Sequence, residues 1–353
     1  MYRYACVSSI RKLLAKASSF KKGISIMMIS DDTRVTVIGC GRWGSFLSWY
    51  LSGLGFKIMM YGRADSDSYQ ALRTSRKNEY LDIPDSVKFT DDIKYALSYS
   101  NTIVISVGVQ SFPALAREIR DTLGENDGKT YILCMKGIIE DGGLRPSEAL
   151  YSALGPDTKC VLWLGPGHAE DFVKGIPNCM LLASSDAALA KAMCDRLGSS
   201  LIRFYYSADV IGCEVGAATK NVIGIGAGIL DGMNYSSLKG ALMARGPREI
   251  ARLAEAMGGN ERSIFGLCHL GDYEATLFSQ HSHNRRFGES FVRHEPYGKL
   301  AEGVFTVRSL MYLKNKYNIE MPICTAVNDV IHEGKDPEDV MASLFLREQK
   351  SEF

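Results

Sequence analysis

Lys220 is the residue of this sequence best placed for proton-transfer chemistry. It ends a run rich in small residues, 212–219, and is followed by the polar Asn221 and then by an apolar run. Small neighbours let other parts of a protein pack closely around an ammonium group and exclude water. A lysine that is shielded in this way and lies beside a second cation has a lowered pKa and can act as a general base. The alternative stays open on spacing alone, because a lysine can also extend over an apolar helix surface into solvent.

The sequence offers a second cation at Lys136, which follows the apolar run 132–135 and precedes Gly137. If that run is a strand of a parallel sheet, its carboxyl end lies at the edge where open α/β sheets bind their ligands. An ammonium group at that edge suits an anionic or carbonyl substrate. A solvated lysine at a strand end is equally ordinary, and the residues alone favour neither interpretation.

The stretch 281–288 combines imidazoles, a hydroxyl, an amide and two guanidinium groups. Such a mixture suits the binding of an oxyanion such as phosphate. His281 and His283 also permit a metal-binding interpretation. No nearby carboxylate or cysteine completes a ligand set, however, and a polar loop is more often simply solvated. We therefore predict no metal site.

Residues 39–44, Gly-Cys-Gly-Arg-Trp-Gly, follow the apolar run 35–38 and open a helical pattern. Gly39 permits a tight turn, Gly41 lets backbone N–H groups approach a pyrophosphate, and Gly44 lets the helix lie close to the sheet. The pattern predicts a bound dinucleotide, the alternative being a glycine turn that binds nothing.

The choice between NAD and NADP depends on the end of the second predicted strand. An acidic residue there usually binds the ribose 2′-OH of the cofactor. This chain has Tyr61, Gly62 and Arg63, with Asp65 slightly later. Arg63 can pair with a 2′-phosphate, which favours NADP; as a solvated strand-end arginine it would leave NAD open.

These residues need a sheet and helices to bring them together. Strands are predicted at 35–38, 57–61, 101–107, 130–135, 161–164, 179–183 and 202–206. Helical patterns occupy 45–54 and 186–198 between them, and 209–232, 237–257, 302–317 and 325–332 after them. The alternation predicts an α/β fold, in which a Rossmann-like, mostly parallel, doubly wound sheet is followed by an all-α domain. The predicted parts are a basic N-terminal extension at 1–30, an NAD(P)-binding domain at 31–206 and a helical substrate-binding and catalytic domain at 207–353.

Composition excludes several classes of protein. The 353 residues are 46% hydrophobic, which allows a large core, and 41 basic against 40 acidic residues give a net charge of +1. No overall field therefore favours nucleic acid or a membrane surface, and no apolar window approaches the roughly 18 residues of a spanning helix. Nine scattered cysteines without a C-x-x-C pair predict reduced thiols of a soluble intracellular protein.

The first thirty residues are basic and contain no acidic residue before Asp31. This composition resembles a mitochondrial presequence. The simpler interpretations, which we favour, are a disordered basic tail or upstream sequence before a start at Met27 or Met28. We predict a cytoplasmic protein, with organellar import through this segment as the alternative.

Taken in order, these motifs resemble the bacterial type of NAD(P)-dependent glycerol-3-phosphate dehydrogenase. The resemblance extends from about residue 33 to 345, and its motifs include 39–44, 76–81, 136–137, 165–166, 175–177, 209–221, 245–246, 270–272, 284–288, 302–303 and 321–323. It implies a Rossmann domain followed by a helical domain like that of 6-phosphogluconate dehydrogenase. It also implies a homodimer that reversibly reduces dihydroxyacetone phosphate to sn-glycerol 3-phosphate with NADPH or NADH, for glycerophospholipid synthesis.

The resemblance also implies roles for individual residues. Lys220 becomes the general acid/base, with Lys136 and Asn221 beside the reacting carbonyl, and the proximity of the two lysines would lower the pKa of Lys220. The implied substrate contacts are Lys136, Lys220, Asp272, Thr276, Ser282, His283 and Asn284. The implied cofactor contacts are Gly39, Gly41, Arg42, Trp43, Gly44, Arg63, Lys136, Gly165, Gly167, Ala169, His283 and Glu302.

The chain departs from the family pattern in three segments. His283 stands where an arginine is expected to contact substrate phosphate and cofactor, and histidine is shorter and only partly charged at pH 7. Either His283 makes a weaker contact, or Arg285 reaches in, or substrate affinity is reduced. Gly167 replaces a common serine or threonine, and the run 107–110 reads Val-Gly-Val-Gln in place of Val-Pro-Ser-Gln.

The catalytic lysines are retained, so we expect an active enzyme. One rival is another dehydrogenase of this architecture, such as a ketopantoate reductase or a sugar-acid dehydrogenase, which would lack the combined lysine and Leu270-Gly271-Asp272 set. The other rival is a non-catalytic NAD(P)H-binding sensor or scaffold.

Overall fold

The computed structural model describes residues 33–349 and 351. The predicted extension at 1–30, with its presequence interpretation, lies outside the described residues. Eight strands form one sheet, β1 (Arg34–Ile38), β2 (Lys57–Tyr61), β3 (Lys88–Thr90), β4 (Thr102–Ile105), β5 (Thr130–Leu133), β6 (Lys159–Leu164), β7 (Asn178–Ala183) and β8 (Ile202–Ser207).

The strand order is β3-β2-β1-β4-β5-β6-β7-β8. Neighbouring strands run parallel except β6 and β7, which are antiparallel. From β1 the chain builds outward through β2 and β3, and it returns to the other side of β1 as β4. This reversal creates a crevice at the carboxyl ends of β1 and β4, the usual ligand position in such sheets.

Helices cover both faces of the sheet. Val37 and Ile38 are adjacent in β1, yet they belong to two different buried clusters, one on each face. Burial on both sides explains why the inner strands are near-continuous apolar runs, whereas β3 and β8 at the sheet edges are largely unburied. The helices of this region are α1 (Arg42–Gly53), α2 (Asp67–Ser75), α3 (Ile93–Tyr99), α4 (Phe112–Leu123), α5 (Pro146–Leu154), α6 (Ala169–Val173) and α7 (Ala187–Leu197).

Helices alone follow β8 within the described residues, as the sequence predicts. They are α8 (Val210–Gly232), α9 (Lys239–Ala256), α10 (His283–Val292), α11 (Glu302–Lys316), α12 (Pro322–Ile331) and α13 (Pro337–Phe345). Almost every residue of α8 is buried, and α8 supplies much of a third apolar cluster. Asp209 begins this helix by accepting a hydrogen bond from the Gly212 N–H at 2.9 Å. The residues on α8 are therefore held in a central, rigid element.

The structure corrects the sequence prediction in several places, among them the helices His283–Val292 and Pro337–Phe345, which were not predicted. Helix α1 begins at Arg42, three residues before the predicted start at Ser45, so its first turn includes Trp43 and Gly44. Strand β3 was not predicted, because Lys88–Thr90 is short and only partly buried. Strands β4 and β5 are shorter than the predicted 101–107 and 130–135.

Two further expectations concern membranes and thiols. Within the described part of the chain, no helix combines the length and apolar character needed to cross a membrane.

The eight cysteines there are free, and six of them are buried. Cys40 lies inside the glycine turn with its Sγ 3.6 Å from the Tyr61 carbonyl oxygen, and burial raises the pKa of its thiol to about 12.

Candidate active site

Two lysines from distant parts of the chain share one carboxylate. Lys136 follows β5 and Lys220 lies in the middle of α8. Their Nζ atoms are 2.9 Å and 2.7 Å from the same oxygen, Asp272 Oδ2. Lys220 and Asp272 are buried, whereas the Lys136 side chain is 21% exposed. Lys220 therefore does not extend into solvent, and of the two interpretations open from the sequence the structure favours the shielded lysine beside a second cation.

Hydrogen bonds hold the side chains of both lysines and the main-chain carbonyl of Lys136 in place. Lys220 Nζ donates to Thr276 Oγ1 at 2.9 Å, and that hydroxyl donates to the Asp272 carbonyl oxygen at 2.7 Å. Lys136 Nζ donates to the Gly165 carbonyl oxygen at 2.7 Å. Asn221 Nδ2 donates to the Lys136 carbonyl oxygen at 2.7 Å, which ties Lys136 to the helix that carries Lys220.

The pKa of Lys220 is lowered to about 8. Burial is the largest cause, the charge of Lys136 acts in the same direction, and Asp272 opposes both. The direction is the one expected from a second cation, but water exclusion contributes more than Lys136 does. A lysine with this pKa can take up and release a proton close to neutral pH.

The glycine turn lies against the carboxyl end of β4. Gly39 has φ +115°, and a Cβ there would lie 2.1 Å from the Ser106 carbonyl oxygen. A Cβ on Gly44 would lie 2.1 Å from the Gly39 carbonyl oxygen. At Gly41, by contrast, a Cβ would meet no described atom within 4 Å, and no side chain caps α1 at this residue. The N-terminal N–H groups of α1 are therefore accessible to an anion.

Side chains around this turn also fit a dinucleotide. Arg42 forms an ion pair with Glu170, and its guanidinium lies 6.0 Å from the Tyr80 ring centre and 3.4 Å from His168 Nδ1. Trp43 Nε1 and His168 Nε2 are buried without a hydrogen-bond partner among the described residues. A bound cofactor would bring phosphate and ribose oxygens for such groups. The sequence analysis assigned neither Tyr80 nor His168 to the site. Tyr80 could have been found there, because it belongs to the family motif at 76–81.

Arg63 lies at the end of β2, as predicted. Its side chain is 74% exposed, and its Nε is 3.3 Å from the exposed carboxylate of Asp65. Exposed ion pairs of this kind contribute little to stability, so Arg63 is free to turn towards a ligand.

The loop after β6 brings Gly165 and Gly167 beside the first residues of α6. Gly167 has φ +134°, and a Cβ there would lie 2.4 Å from the Phe172 ring. A serine at this position would be strained and would displace Phe172. The loop conformation therefore requires glycine here, where the family commonly has a serine or threonine hydroxyl. Ala169 begins α6 and is buried.

Glu302 begins α11 close to the loop after β4. A Cβ on Gly108 would lie 3.6 Å from Glu302 Oε1. Burial raises the pKa of Glu302, and a hydrogen bond from the Val109 main chain opposes that rise. The structure thus places Glu302 at the sheet edge that also bears the glycine turn.

The first turn of α10 gathers three predicted substrate residues. Ser282 caps the helix by accepting from the Arg285 N–H at 3.3 Å. His283 Nδ1 lies 2.8 Å from the Tyr297 hydroxyl, and burial lowers the pKa of His283. Asn284 Oδ1 accepts from the Gly303 N–H at 2.9 Å, which joins α10 to the start of α11.

Of the three alternatives left open for position 283, the contacts of Arg285 disfavour the one in which Arg285 reaches into the site. Its Nη1 lies 2.7 Å from Asp231 Oδ2 and 2.9 Å from Glu289 Oε2, and Asp231 also pairs with Lys239. This partly buried ion network engages the Arg285 guanidinium, which is therefore not available to replace the arginine expected at position 283. The imidazole of His281 packs edge-on against that of His168, with ring centres 5.6 Å apart.

Comparison with known proteins agrees with this geometry. The family model for the N-terminus of NAD-dependent glycerol-3-phosphate dehydrogenase matches residues 34–190, and that for the C-terminus matches residues 209–342. The glycerol-3-phosphate dehydrogenase [NAD(P)+] of Thermoanaerobacter sp. strain X514 is 34% identical over 91% of this chain and 99% of its own length. That of Halothermothrix orenii is 32% identical over 91% and 96%.

A solved structure supports the same assignment. The glycerol-3-phosphate dehydrogenase of Coxiella burnetii superimposes with a TM-score of 0.83 at 27% identity, covering 89% of this chain and 99% of its own. The resemblance inferred from the motifs is therefore confirmed along most of the sequence. With both halves matched and the relatives covered almost completely, the chain belongs to the NAD(P)-dependent glycerol-3-phosphate dehydrogenase family.

Proposed function

We propose that this protein catalyses the reversible NAD(P)H-dependent reduction of dihydroxyacetone phosphate to sn-glycerol 3-phosphate and supplies glycerophospholipid synthesis. The observation that carries the proposal is the pair of lysines on Asp272, which lies at the same sheet edge as the glycine turn. β1, β4, β5 and β6 end at this edge, because they are consecutive parallel strands. A cofactor on the turn would thus share a crevice with the proton-transferring lysine.

Lys220 is the general acid/base of the proposed reaction. During reduction it gives a proton to the alkoxide that forms at C2, and during oxidation it removes the proton from the C2 hydroxyl. The Lys136 ammonium stabilises the negative charge that develops on the same oxygen. Asp272 keeps the two cations together, and Thr276 orients Lys220. The nicotinamide, when bound, supplies or accepts the hydride.

The phosphate of the substrate is assigned to the start of α10. Ser282, His283 and Asn284 present a hydroxyl, an imidazole and an amide at a helix N-terminus, where the helix dipole favours an anion. Binding of the phosphate, away from the reacting carbon, supplies the free energy that aligns C2 with Lys220. His283, with its lowered pKa, makes a weaker phosphate contact than arginine would.

The cofactor is assigned to the glycine turn and the loops that adjoin it, and it shares Lys136 and His283 with the substrate. The residues that would hold it are Gly39, Gly41, Arg42, Trp43, Gly44, Arg63, Lys136, Gly165, Gly167, Ala169, His283 and Glu302. The exposed guanidinium of Arg63 favours NADPH, through pairing with the 2′-phosphate. We assign cofactor binding to residues 31–206 and catalysis to 207–353, in a cytoplasmic homodimer; these last points rest on the resemblance.

The test follows NAD(P)H absorbance with dihydroxyacetone phosphate, with each cofactor in turn. Lys220→Met should lower kcat by about a thousandfold, the range of a lost general acid. The matched control is Lys314→Met, which removes a partly buried ammonium near the far end of α11. Wild type without activity towards either cofactor would refute the proposed function. Near-normal turnover in Lys220→Met would refute only the role of Lys220.

A further inference from the structure

Asp272 is flanked by a buried histidine and a buried tyrosine that contact each other. His269 and Tyr273 are 0% and 1% exposed. The Tyr273 hydroxyl lies 2.7 Å from His269 Nε2, and the two rings meet at a steep angle with centres 4.8 Å apart. Asp272 lies in the short turn between them.

The hydrogen-bond partners define the protonation of the imidazole. His269 Nδ1 lies 2.8 Å from the Gly216 carbonyl oxygen, which can only accept a hydrogen bond. Nδ1 therefore carries the proton, and Nε2 accepts from the Tyr273 hydroxyl. Burial, together with the charge of Lys220, lowers the pKa of His269 to about 4. Burial also raises the pKa of Tyr273 well above its usual range, so that both groups stay neutral while Lys220 titrates.

Two helices make room for this pair. Gly216 lies on α8 one turn before Lys220, and a Cβ there would lie 3.0 Å from both Cys268 Sγ and His269 Cβ. Gly246 lies on α9, and a Cβ there would lie 3.1 Å from the Tyr273 hydroxyl. The turn that carries Asp272 is thus packed and hydrogen-bonded against the helix that carries Lys220.

We propose that His269 and Tyr273 are positioning residues that hold the Asp272 turn against α8 and thereby keep the carboxylate between Lys136 and Lys220. The pair acts through Asp272 and touches neither substrate nor cofactor. The proposal rests on the role of Lys220 in the proposed function. Loss of either hydrogen bond lets the turn move, so the carboxylate stabilises the Lys220 ammonium less.

Tyr273→Phe tests this, because it removes the hydroxyl and keeps the ring. The charged groups acting on Lys220 are Asp272 and Lys136, and the neutral imidazole of His269 is the neighbouring titratable group. A weaker Asp272 contact should lower the pH midpoint of Lys220 by roughly half a unit to one unit. The matched control is Tyr50→Phe, whose hydroxyl is likewise buried and donates to the Leu197 carbonyl oxygen at 2.6 Å, far from the site.

The midpoint is measured in two ways. One is the pH dependence of kcat/KM for glycerol 3-phosphate oxidation. The other is an NMR titration of lysine selectively labelled with carbon-13, with Lys220→Met to assign the signal. The NMR midpoint needs no turnover, so failure of the proposed function leaves this test intact and is recognised separately by an inactive wild type.

His269→Asn gives a second, independent reading. Asparagine keeps a donor for the Gly216 carbonyl and loses the acceptor for Tyr273. It should lower the Lys220 midpoint as much as Tyr273→Phe does. The double variant should lower the midpoint no further, because both substitutions break the same hydrogen bond. An unmoved midpoint in either folded variant, with a loss of Tm like that of Tyr50→Phe, would overturn the proposal. If Tyr273→Phe does not fold, His269→Asn decides by the same criterion.

Discussion

Replacing Asp272 by asparagine removes the charge that both lysines share and keeps the size of the side chain. Lys220 Nζ lies 2.7 Å from Asp272 Oδ2. At that separation two unit charges attract by about 1.5 kcal/mol at the dielectric constant of water and by about 6 kcal/mol at an effective value near 20. At about 1.36 kcal/mol per pKa unit, these limits correspond to about 1 and about 4 units. Neighbouring opposite charges shift pKa values by about 1 to 3 units in practice, and we expect a fall of that size for Lys220.

The sign follows from the protonation state that Asp272 stabilises. The carboxylate favours the ammonium form, and it opposes the burial and the Lys136 charge that lower the pKa of Lys220 to about 8. Oxidation of glycerol 3-phosphate needs neutral Lys220, so its acidic limb should move down in Asp272→Asn, to a midpoint of about 5 to 7. Lys136→Met removes the neighbouring cation and should move the same midpoint above 8.

The assay is kcat/KM for glycerol 3-phosphate oxidation across pH, at saturating NAD(P)+. Asp329→Asn is the control, because Asp329 pairs with Lys335 at 2.9 Å on the far side of the helical region and should leave the midpoint unchanged. Rates should fall in both site variants, but a midpoint does not depend on the absolute rate. Midpoints that stay near the wild-type value, or move in the same direction in Asp272→Asn and Lys136→Met, would refute the electrostatic reasoning.

Three further changes have defined outcomes. His283→Arg adds a charge-assisted phosphate contact and should lower KM for dihydroxyacetone phosphate by about tenfold in steady-state kinetics; an unchanged KM would remove His283 from the phosphate site. Arg63→Ala should raise KM for NADPH by about tenfold with little change for NADH; equal effects on both cofactors would contradict pairing with a 2′-phosphate. Gly167→Ser, strained at its positive φ and against Phe172, should lower the free energy of unfolding in urea by about 1–3 kcal/mol. Gly298→Ser, where no described atom lies within 4 Å of the added Cβ, is its control and should change little; an equal loss in both would show that strain at Gly167 is not the cause.

Much of the sheet could be predicted because its strands are buried on both faces. β2 matches its predicted bounds, Lys57–Tyr61, since its apolar run is flanked by turn residues. β3 could not be predicted, because Lys88–Thr90 has no apolar run and depends on pairing with β2. Nor does the residue pattern give the direction of β7. Helix α6, at five residues, spans only about 7.5 Å, too short to return the chain along a strand of about 20 Å, so β7 runs back antiparallel to β6.

The candidate site was predictable in its parts but not in its contacts. The patterns around Lys136 and Lys220 singled out both lysines, and the resemblance added Asp272. The structure places one oxygen of Asp272 between the two lysines because the turn that carries Asp272 packs against α8. No local sequence pattern predicts that packing. Likewise, Arg285 looked available for phosphate in the sequence, because its ion-pair partner Asp231 lies more than fifty residues earlier in the chain.

Cys40 occupies the middle of the turn assigned to the cofactor, yet its sulfur points back to the Tyr61 carbonyl oxygen. With a pKa near 12, the thiol forms almost no thiolate at neutral pH, and thiolate is the form that oxidants and alkylating reagents attack. Among the cysteines that the structure describes, Cys179 and Cys194 are the two that are partly exposed. The turn thus accommodates a cysteine whose sulfur is protected from oxidation and alkylation by its burial and raised pKa.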